Sequence, residues 1–168
     1  VVQNVATSLA VYEAVQKNKP LVTNTLTVTG DCLPVEKQHN YLFRIGTPLS
    51  YIMEQAGGIP EGAAKIISGG PMMGAALWDV DFPVTKGTSS VLVFSEKMLP
   101  REDAHACCIR CGRCVHGCPM HLMPVYAAHY AKLGDYETAQ SYDIMSCVEC
   151  GTCSYNCPGN VPLVQYIR

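Results

Sequence analysis

The chain carries the sequence CIRCGRCVHGCP at residues 108–119, and the similar sequence CVECGTCSYNCP follows at residues 147–158. Each stretch places four cysteines at the spacing C-x-x-C-x-x-C-x-x-x-C and adds a proline after the last one. Eight of the ten cysteines in the 168-residue chain fall in these two runs, which concentrates the thiol chemistry in one region. The repeated spacing therefore decides how this part of the chain folds.

The spacing of each run is the one that binds a [4Fe–4S] cluster through cysteine thiolates. The first three thiolates of a run lie close enough together to hold three irons of one cube. The fourth cysteine lies too far along its own run for the remaining iron, and in two-cluster ferredoxins it ligates the neighbouring cluster. This rule predicts two ligand sets: Cys108, Cys111, Cys114 and Cys157 for cluster 1, and Cys147, Cys150, Cys153 and Cys118 for cluster 2. Two clusters that exchange ligands lie close together and carry single electrons.

Zinc and disulfides are the alternatives for a cysteine-rich segment. Structural zinc is commonly bound by two separated cysteine pairs and has no use for a third C-x-x step. Disulfide frameworks are typical of secreted proteins, and the first residues do not resemble a signal peptide. The spacing therefore favours iron–sulfur chemistry. Choosing Cys107 as first ligand breaks the match between the runs, so we interpret it as a non-ligand, and the isolated Cys32 as an inert thiol.

Composition narrows the remaining function classes. The net charge is −2, and no basic stripe suggests nucleic acid as a partner. No apolar run approaches about 18 residues, so no membrane span is predicted. No nucleophile has an evident base, so we expect no catalytic residue and no visible chemistry beyond electron transfer. The sequence starts at Val1, without Met and in mid-pattern, and is expected to be a piece of a longer chain.

The distribution of cysteines and apolar residues predicts three segments. Residues 1–22 are expected to form a linking helix or the end of an upstream domain. Residues 23–97 are expected to form a small β-grasp-like domain, and residues 98–168 a two-cluster ferredoxin-type domain, with a charged hinge at residues 96–103. The predicted fold class is α+β, a β-grasp-like domain followed by an α-helical ferredoxin domain with two [4Fe–4S] clusters.

Short strands around one helix are predicted for the β-grasp-like domain. The strand candidates are residues 26–29, 41–45, 65–68 and 90–94. Thr47 is expected to cap a helix that begins with Pro48 and ends at Gly57. The glycine-rich segment Gly69–Gly74 is not followed by the Lys-Ser/Thr pair of a phosphate loop, so we interpret it as a tight turn or a surface for contact with a neighbouring protein of the same assembly.

The insert between the cysteine runs, residues 119–146, is predicted to be helical. Its apolar residues lie roughly along one face up to Leu133, and Gly134 marks the end of the helix. Residues 136–142 are expected to form a second short helix. The charges around the ligands differ between the runs, since the first contains Arg110 and Arg113 and the second Glu149. This difference predicts that cluster 1 is the easier cluster to reduce.

Motifs along the whole chain resemble the C subunit of the Rnf electron-transport complex. They are Val2–Val5, Thr27–Gly30, Arg44–Pro48, Gly69–Gly74, Cys108–Cys114, Cys118–Met120, Leu122–Pro124 and Cys157–Arg168. Taken together these motifs are specific, and they cover essentially all of the sequence. The resemblance implies a β-grasp domain of the soluble-ligand-binding type (SLBB), followed by a two-cluster helical ferredoxin domain.

The resemblance also implies a function. This segment would be an electron carrier without a substrate-converting site, within an ion-translocating NAD:ferredoxin oxidoreductase. In the family an upstream domain binds NADH and flavin, so FMN and NADH are expected only in a missing upstream part. The expected partners are the other subunits of a membrane electron-transport complex, with ferredoxin or flavin as redox partners. The expected location is peripheral, at the cytoplasmic face of the plasma membrane.

Two further interpretations stay open. The cobalamin-reducing flavoprotein of propanediol-utilisation microcompartments shares the same domain order, although the ending Pro162-Leu163-Val164-Gln165 favours Rnf. The other is a binding or structural module in which the clusters only stabilise the fold. A redox titration distinguishes that module from an electron carrier, because only a carrier changes its oxidation state.

Overall fold

The computed structural model describes residues 2–99 and 106–168. These residues form two compact units. The sheet unit comprises residues 2–70 and 74–99, and the cysteine unit comprises residues 71–73 and 106–168. The predicted hinge lies partly outside the described residues, because its second half, residues 100–103, is not among them.

The sheet unit contains a five-stranded mixed sheet in the order β2-β1-β5-β3-β4. Its strands are β1 (Thr23–Thr29), β2 (His39–Arg44), β3 (Ala63–Ser68), β4 (Ala75–Leu77) and β5 (Ser90–Ser95). Strands β1 and β5 run parallel, whereas β2 pairs antiparallel with β1, and β3 pairs antiparallel with both β4 and β5. The helices of this unit are α1 (Val5–Lys17) and α2 (Leu49–Gln55). The predicted α+β fold class is confirmed, and β4 is a strand that the sequence pattern did not predict.

One apolar core holds the sheet and α2 together. In β1, Leu26 and Val28 are fully buried and the residues between and beside them are more exposed, because successive side chains of a strand point to opposite faces. Helix α2 contributes Leu49 and Met53 to the same core, and β5 contributes the fully buried Val93. Burying each side chain of this size stabilises the unit by roughly 1.5–3 kcal/mol.

The start of α2 differs from its prediction. Thr47 was expected to be the N-cap, but Pro48 occupies that position and makes no side-chain cap. The Thr47 hydroxyl instead donates a hydrogen bond to the carbonyl oxygen of Arg44 at 2.7 Å, within the turn that follows β2. The predicted cap is wrong because the turn uses the hydroxyl that a cap would need.

The glycine-rich segment Gly69–Gly74 forms the turn between β3 and β4. Ser68 pairs with Ala75 across the turn, and the N–H of Gly74 donates to the carbonyl oxygen of Gly70 at 2.8 Å. A strand follows the turn directly, so the helix N-terminus that a phosphate loop requires is not at this place. The interpretation as a tight turn is confirmed.

Helix α1 lies in the segment predicted to be a linking helix. The side chain of Asn4 accepts a hydrogen bond from the N–H of Ala6 at 2.9 Å and caps the start, and Asn18 ends the helix in the left-handed conformation at φ 52°. None of the 13 residues of this helix is buried. Apolar side chains such as Val5 and Val15 are therefore exposed to solvent.

The cysteine unit is helical. It contains α3 (Arg113–His116), α4 (Pro124–Leu133), α5 (Tyr136–Ser141), α6 (Thr152–Tyr155) and α7 (Leu163–Ile167). The predicted helical insert is confirmed, because α4 and α5 fill most of the segment between the two cysteine runs. Gly134 ends α4 at φ 76°, as predicted, and the side chain of Asp135 caps α5 by accepting the N–H of Thr138 at 3.0 Å.

Three stacked tyrosines hold the two helices of the insert together. The ring of Tyr142, just after α5, lies 5.5 Å from the ring of Tyr126 and 5.8 Å from that of Tyr130, both on α4. The buried face of α4 is formed by Pro124, Ala127 and Ala128, whereas Leu133 is exposed. The insert is therefore a fixed helical hairpin, and not a loose connection between the cysteine runs.

Candidate metal centre

The two cysteine runs fold as structural repeats. Residues at equivalent positions of the two runs adopt the same left-handed backbone: Arg110 and Glu149 (φ 55° and 51°), Gly112 and Gly151 (φ 75° and 80°), and His121 and Asn160 (φ 57° and 52°). Gly112 and Gly151 adopt this conformation without strain, because glycine has no Cβ. In the second run, the first three cysteines, Cys147, Cys150 and Cys153, line the same cavity.

The short helices α3 and α6, which follow these glycines, pack against each other. Gly117 ends α3, and its equivalent in the second run is Asn156, which ends α6. A Cβ at Gly117 would lie 2.7 Å from the side-chain nitrogen of Asn156. The two runs therefore meet at a point where only one of them has room for a side chain. The sequence does not predict this contact, although Gly117 and Asn156 occupy equivalent positions of the two runs.

Four cysteines line one partly open cavity with almost entirely apolar walls. They are Cys118 from the first run and Cys147, Cys150 and Cys153 from the second. The cavity walls include Leu122, Pro124 and Ala127 of the insert, Ile144 before the second run, and Val164 and Ile167 of α7. The structure thus brings together the four residues that the sequence predicts for cluster 2. Four soft thiolate donors in an apolar enclosure match the chemistry of an iron–sulfur cluster.

Polar groups in this site point at sulfur. The backbone N–H of Leu122 donates to Cys118 Sγ, and the N–H of Glu149 donates to Cys147 Sγ, both at 3.4 Å. The Thr152 hydroxyl lies 3.4 Å from Cys150 Sγ, and hydrogen bonds from its side chain and backbone lower the pKa of that thiol. Burial, in contrast, raises the pKa of Cys153. Donors of this kind favour the thiolate form that binds iron and stabilise the added negative charge of a reduced cluster.

The cysteines predicted for cluster 1 lie in a more open environment. Cys108 and Cys111 are exposed, whereas Cys114 and Cys157 are half-buried. Burial raises the pKa of Cys114, and the nearby thiols of Cys157 and Cys108 raise it further. An open groove beside them is lined by Cys111, Cys157, Arg113, His116 and Tyr155, among others.

The remaining cysteines stay apart from these sites. Cys32 donates its thiol to the carbonyl oxygen of Gly62 at 3.4 Å within the sheet unit. Cys107 is exposed, and its sulfur lies 3.9 Å from the carbonyl oxygen of Cys108. Within the described residues, no three side chains of His, Cys, Asp or Glu converge so as to hold a single metal ion.

Glu149 has a partner that the sequence did not indicate. Arg168 places its Nε 2.6 Å from Glu149 Oε2, and both side chains are about half exposed. The pair offsets the negative charge that distinguishes the second run from the first. The difference in charge between the two runs is therefore smaller than their sequences indicate. This weakens the prediction that cluster 1 is reduced more easily than cluster 2.

Comparison with known proteins identifies both parts of the chain. Residues 25–76 match the family model of the SLBB domain, and residues 100–158 match that of the 4Fe-4S dicluster domain. The cysteine unit therefore takes two [4Fe–4S] clusters as its cofactors, as predicted. The order of the two domains also agrees with the predicted fold.

Curated relatives cover nearly the whole chain. The C subunit of the ion-translocating oxidoreductase complex of Erwinia tasmaniensis is 42% identical over 166 residues, and that of Actinobacillus succinogenes is 41% identical, each over 99% of this chain. The C subunit of the proton-translocating ferredoxin:NAD(+) oxidoreductase complex of Clostridium ljungdahlii is 43% identical over 169 residues, which is 100% of this chain. The chain is homologous to a segment of Rnf-type C subunits. The predicted resemblance is confirmed.

The homologous segment is a minor part of these proteins. The alignments cover 20%, 23% and 36% of the Erwinia, Actinobacillus and Clostridium proteins respectively. Among the described residues, none of the helices combines the length and apolar character needed to cross a bilayer. Activities of the complete relatives are therefore not a property of this segment by homology alone.

Proposed function

We propose that this segment relays single electrons through two [4Fe–4S] clusters within an ion-translocating NAD:ferredoxin oxidoreductase. The observation that carries the proposal is the apolar cavity in which Cys118 of the first run joins Cys147, Cys150 and Cys153 of the second. A site that takes ligands from both runs couples the two cluster positions in one small fold. Short separation between redox centres is what single-electron transfer requires.

The ligand assignment is part of the proposal. Cluster 2 is held by Cys147, Cys150, Cys153 and Cys118, and cluster 1 by Cys108, Cys111, Cys114 and Cys157. The shared cavity supports the first set. The influence of Cys157 and Cys108 on the pKa of Cys114 supports the second. Each cluster supplies a centre that gains and loses one electron, while the chain supplies thiolates, N–H donors and an apolar wall.

We propose the partners and the location of this segment from homology. The relatives are named as subunits of oxidoreductase complexes, so we propose that other subunits of such a complex contact this segment. Ferredoxin or flavin serves as the redox partner, and FMN and NADH bind to an upstream domain of the complete protein. The segment sits peripherally at the cytoplasmic face of the plasma membrane. It acts as an electron carrier and not as a substrate-converting site.

Cysteine substitutions test the crossed ligand sets. In anaerobically purified protein, Cys118→Ala is expected to damage cluster 2, and Cys157→Ala to damage cluster 1. Each variant should keep about four of about eight irons per chain, with distinct EPR spectra after reduction. Cys32→Ala, which removes a thiol outside both runs, is the matched control and should keep all iron. If each substitution instead damages the cluster of its own run, the crossed assignment is wrong.

A redox titration tests the relay itself. Both clusters are expected to change oxidation state between about −700 and +450 mV, the span open to such centres. EPR and the visible absorbance of the clusters follow the change. Clusters that stay in one state across this range would show a structural module and would contradict electron transfer.

A further inference from the structure

The chain segments that enter the first cysteine run and leave the second run are paired through their backbones. The N–H of Cys107 donates a hydrogen bond to the carbonyl oxygen of Gly159 at 3.1 Å. Cys107 directly precedes Cys108, and Gly159 follows Cys157 by two positions. The pair thus joins the two parts of the proposed cluster 1 site that are farthest apart in sequence.

Gly159 lies too close to Cys107 for any side chain. A Cβ at residue 159 would be 2.0 Å from the carbonyl oxygen of Cys107 and 3.1 Å from its carbonyl carbon. The φ of Gly159 is outside the left-handed region, so alanine fits the local backbone conformation. Glycine is therefore needed here for the close approach of two main chains, and not for a special φ.

The second site is closed in a different way. The positions equivalent to Cys107 and Gly159 are Ser146 and Met120. The N–H of Ser146 donates to the carbonyl oxygen of Asp143 at 2.9 Å, and the side chain of Met120 lines the apolar cavity. Cluster 2 is thus enclosed by side chains from the insert and α7. At cluster 1, where Cys108 is exposed, the backbone pair supplies the closure.

We propose that the Cys107–Gly159 backbone pair positions Cys108 and Cys157 for cluster 1, which makes Gly159 a positioning residue for that cluster alone. The inference rests on the crossed ligand sets of the proposed function. Cys107 acts through its main chain, and its exposed thiol takes no part. A methyl group at residue 159 displaces Cys107 and moves Cys108 away from Cys157, so cluster 1 loses a ligand at one corner.

Glycine substitutions in the anaerobically purified, cluster-loaded protein test the close approach. Gly159→Ala should lower the iron content from about eight to about four per chain. Its EPR spectrum after reduction should match that of Cys157→Ala and differ from that of Cys118→Ala. Gly62→Ala is the matched control, because a Cβ at Gly62 meets no atom within 4 Å and its φ is not left-handed. It should keep both clusters.

Two substitutions at residue 107 distinguish the role of the main-chain N–H of Cys107 from that of its thiol. Cys107→Pro removes the N–H that Gly159 accepts, and should lose cluster 1. Cys107→Ala keeps the N–H and should keep both clusters. Full iron content in Gly159→Ala, equal loss of both clusters, or loss of cluster 1 in Cys107→Ala would each overturn the proposal. If Cys118→Ala and Cys157→Ala fail to show crossed ligands, the ligand assignment fails instead, so the two failures are distinguishable.

Discussion

The sheet unit and the cysteine unit differ in what fills their interiors. Eleven buried residues from β1, β2, α2, β5 and the adjoining segments form one continuous core in the sheet unit. The corresponding cluster in the described part of the cysteine unit has four buried residues: Ala128, Cys153, Leu163 and Val164. One of these four is itself a proposed cluster ligand. The sheet unit is therefore stabilised by apolar burial, whereas the cysteine unit depends on the metal–sulfur bonds that its thiolates make.

Removal of iron is expected to have the largest effect and to divide the two units. Without clusters, the cysteine unit should lose its tertiary structure, because small domains with little core rely on metals or other cross-links. The sheet unit should stay folded. Amide hydrogen exchange measures both at once, with fast exchange expected in α4 and α7 and protection retained in β1 and β5. Protection of α4 in the iron-free chain would show that the cysteine unit folds by burial alone.

Truncation of the sheet core should produce the reverse pattern. Leu26→Ala removes a fully buried side chain and is expected to lower the free energy of unfolding of the sheet unit by about 3 kcal/mol. The iron content should not change. Leu42→Ala on the neighbouring strand is the matched control, because Leu42 is 77% exposed, and its effect should stay within about 0.5 kcal/mol. Urea unfolding measures the change in stability, and iron analysis measures the cluster content. Loss of iron in Leu26→Ala would contradict the view that the two units are stabilised independently.

Acid should weaken the sheet unit through Asp31. Its carboxylate accepts hydrogen bonds from the Ser95 hydroxyl and, at 2.9 Å, from the Ser95 N–H, and these bonds lower the pKa of Asp31 below its ordinary value of 3.8. Because the folded pKa is the lower one, the stabilisation is present above pH 3.8 and is lost as the pH falls through the folded pKa. Asp31→Asn should therefore be less stable than the wild type at about pH 7, with a smaller difference below the ordinary pKa.

Urea unfolding of the sheet unit at about pH 7 and at a pH below 3.8, followed by circular dichroism, measures how the effect of Asp31→Asn depends on pH. Asp81→Asn is a control carboxylate in the same unit. An Asp31→Asn difference that is the same at both pH values would contradict the hydrogen-bond explanation.

The smallest effect is expected at the ion pair of the cysteine unit. Arg168→Ala should lower stability by less than about 1 kcal/mol, because both partners are half exposed. It should also lower the reduction potential of cluster 2 by on the order of 10 mV, because a positive charge near the second run that favours the reduced cluster is lost. Arg44→Ala in the sheet unit should leave the potential unchanged. An EPR-monitored titration resolves the shift, and an equal shift of both clusters would show that the charge acts non-specifically.

Local signals in the sequence were sufficient for much of both units. The cysteine spacing, the end of α4 at Gly134 and the strand character of β1 all depend on neighbouring residues. Each of these features follows a regular spacing along the sequence or requires a positive φ at a single residue. They are therefore visible without knowledge of the fold.

Features that depend on the packing of the folded chain were the part that the sequence did not predict. Strand β4 has only three residues, and its pairing with β3 places it at the edge of the sheet. The ion pair between Glu149 and Arg168 and the close approach of Gly159 to Cys107 join residues with no periodic relation. Each depends on the final packing of the chain, so composition and spacing contain no signal for it.

Arg110 and Glu149 occupy the same left-handed position in the two runs, at φ 55° and 51°. Their side chains carry opposite charges but leave the main chain in the same conformation. A charge beside either cluster is therefore replaceable by single substitutions while the path of the cysteine loop stays fixed. The cysteine spacing and the left-handed position thus set the path of each ligand loop, whereas the side chain at that position sets the local charge.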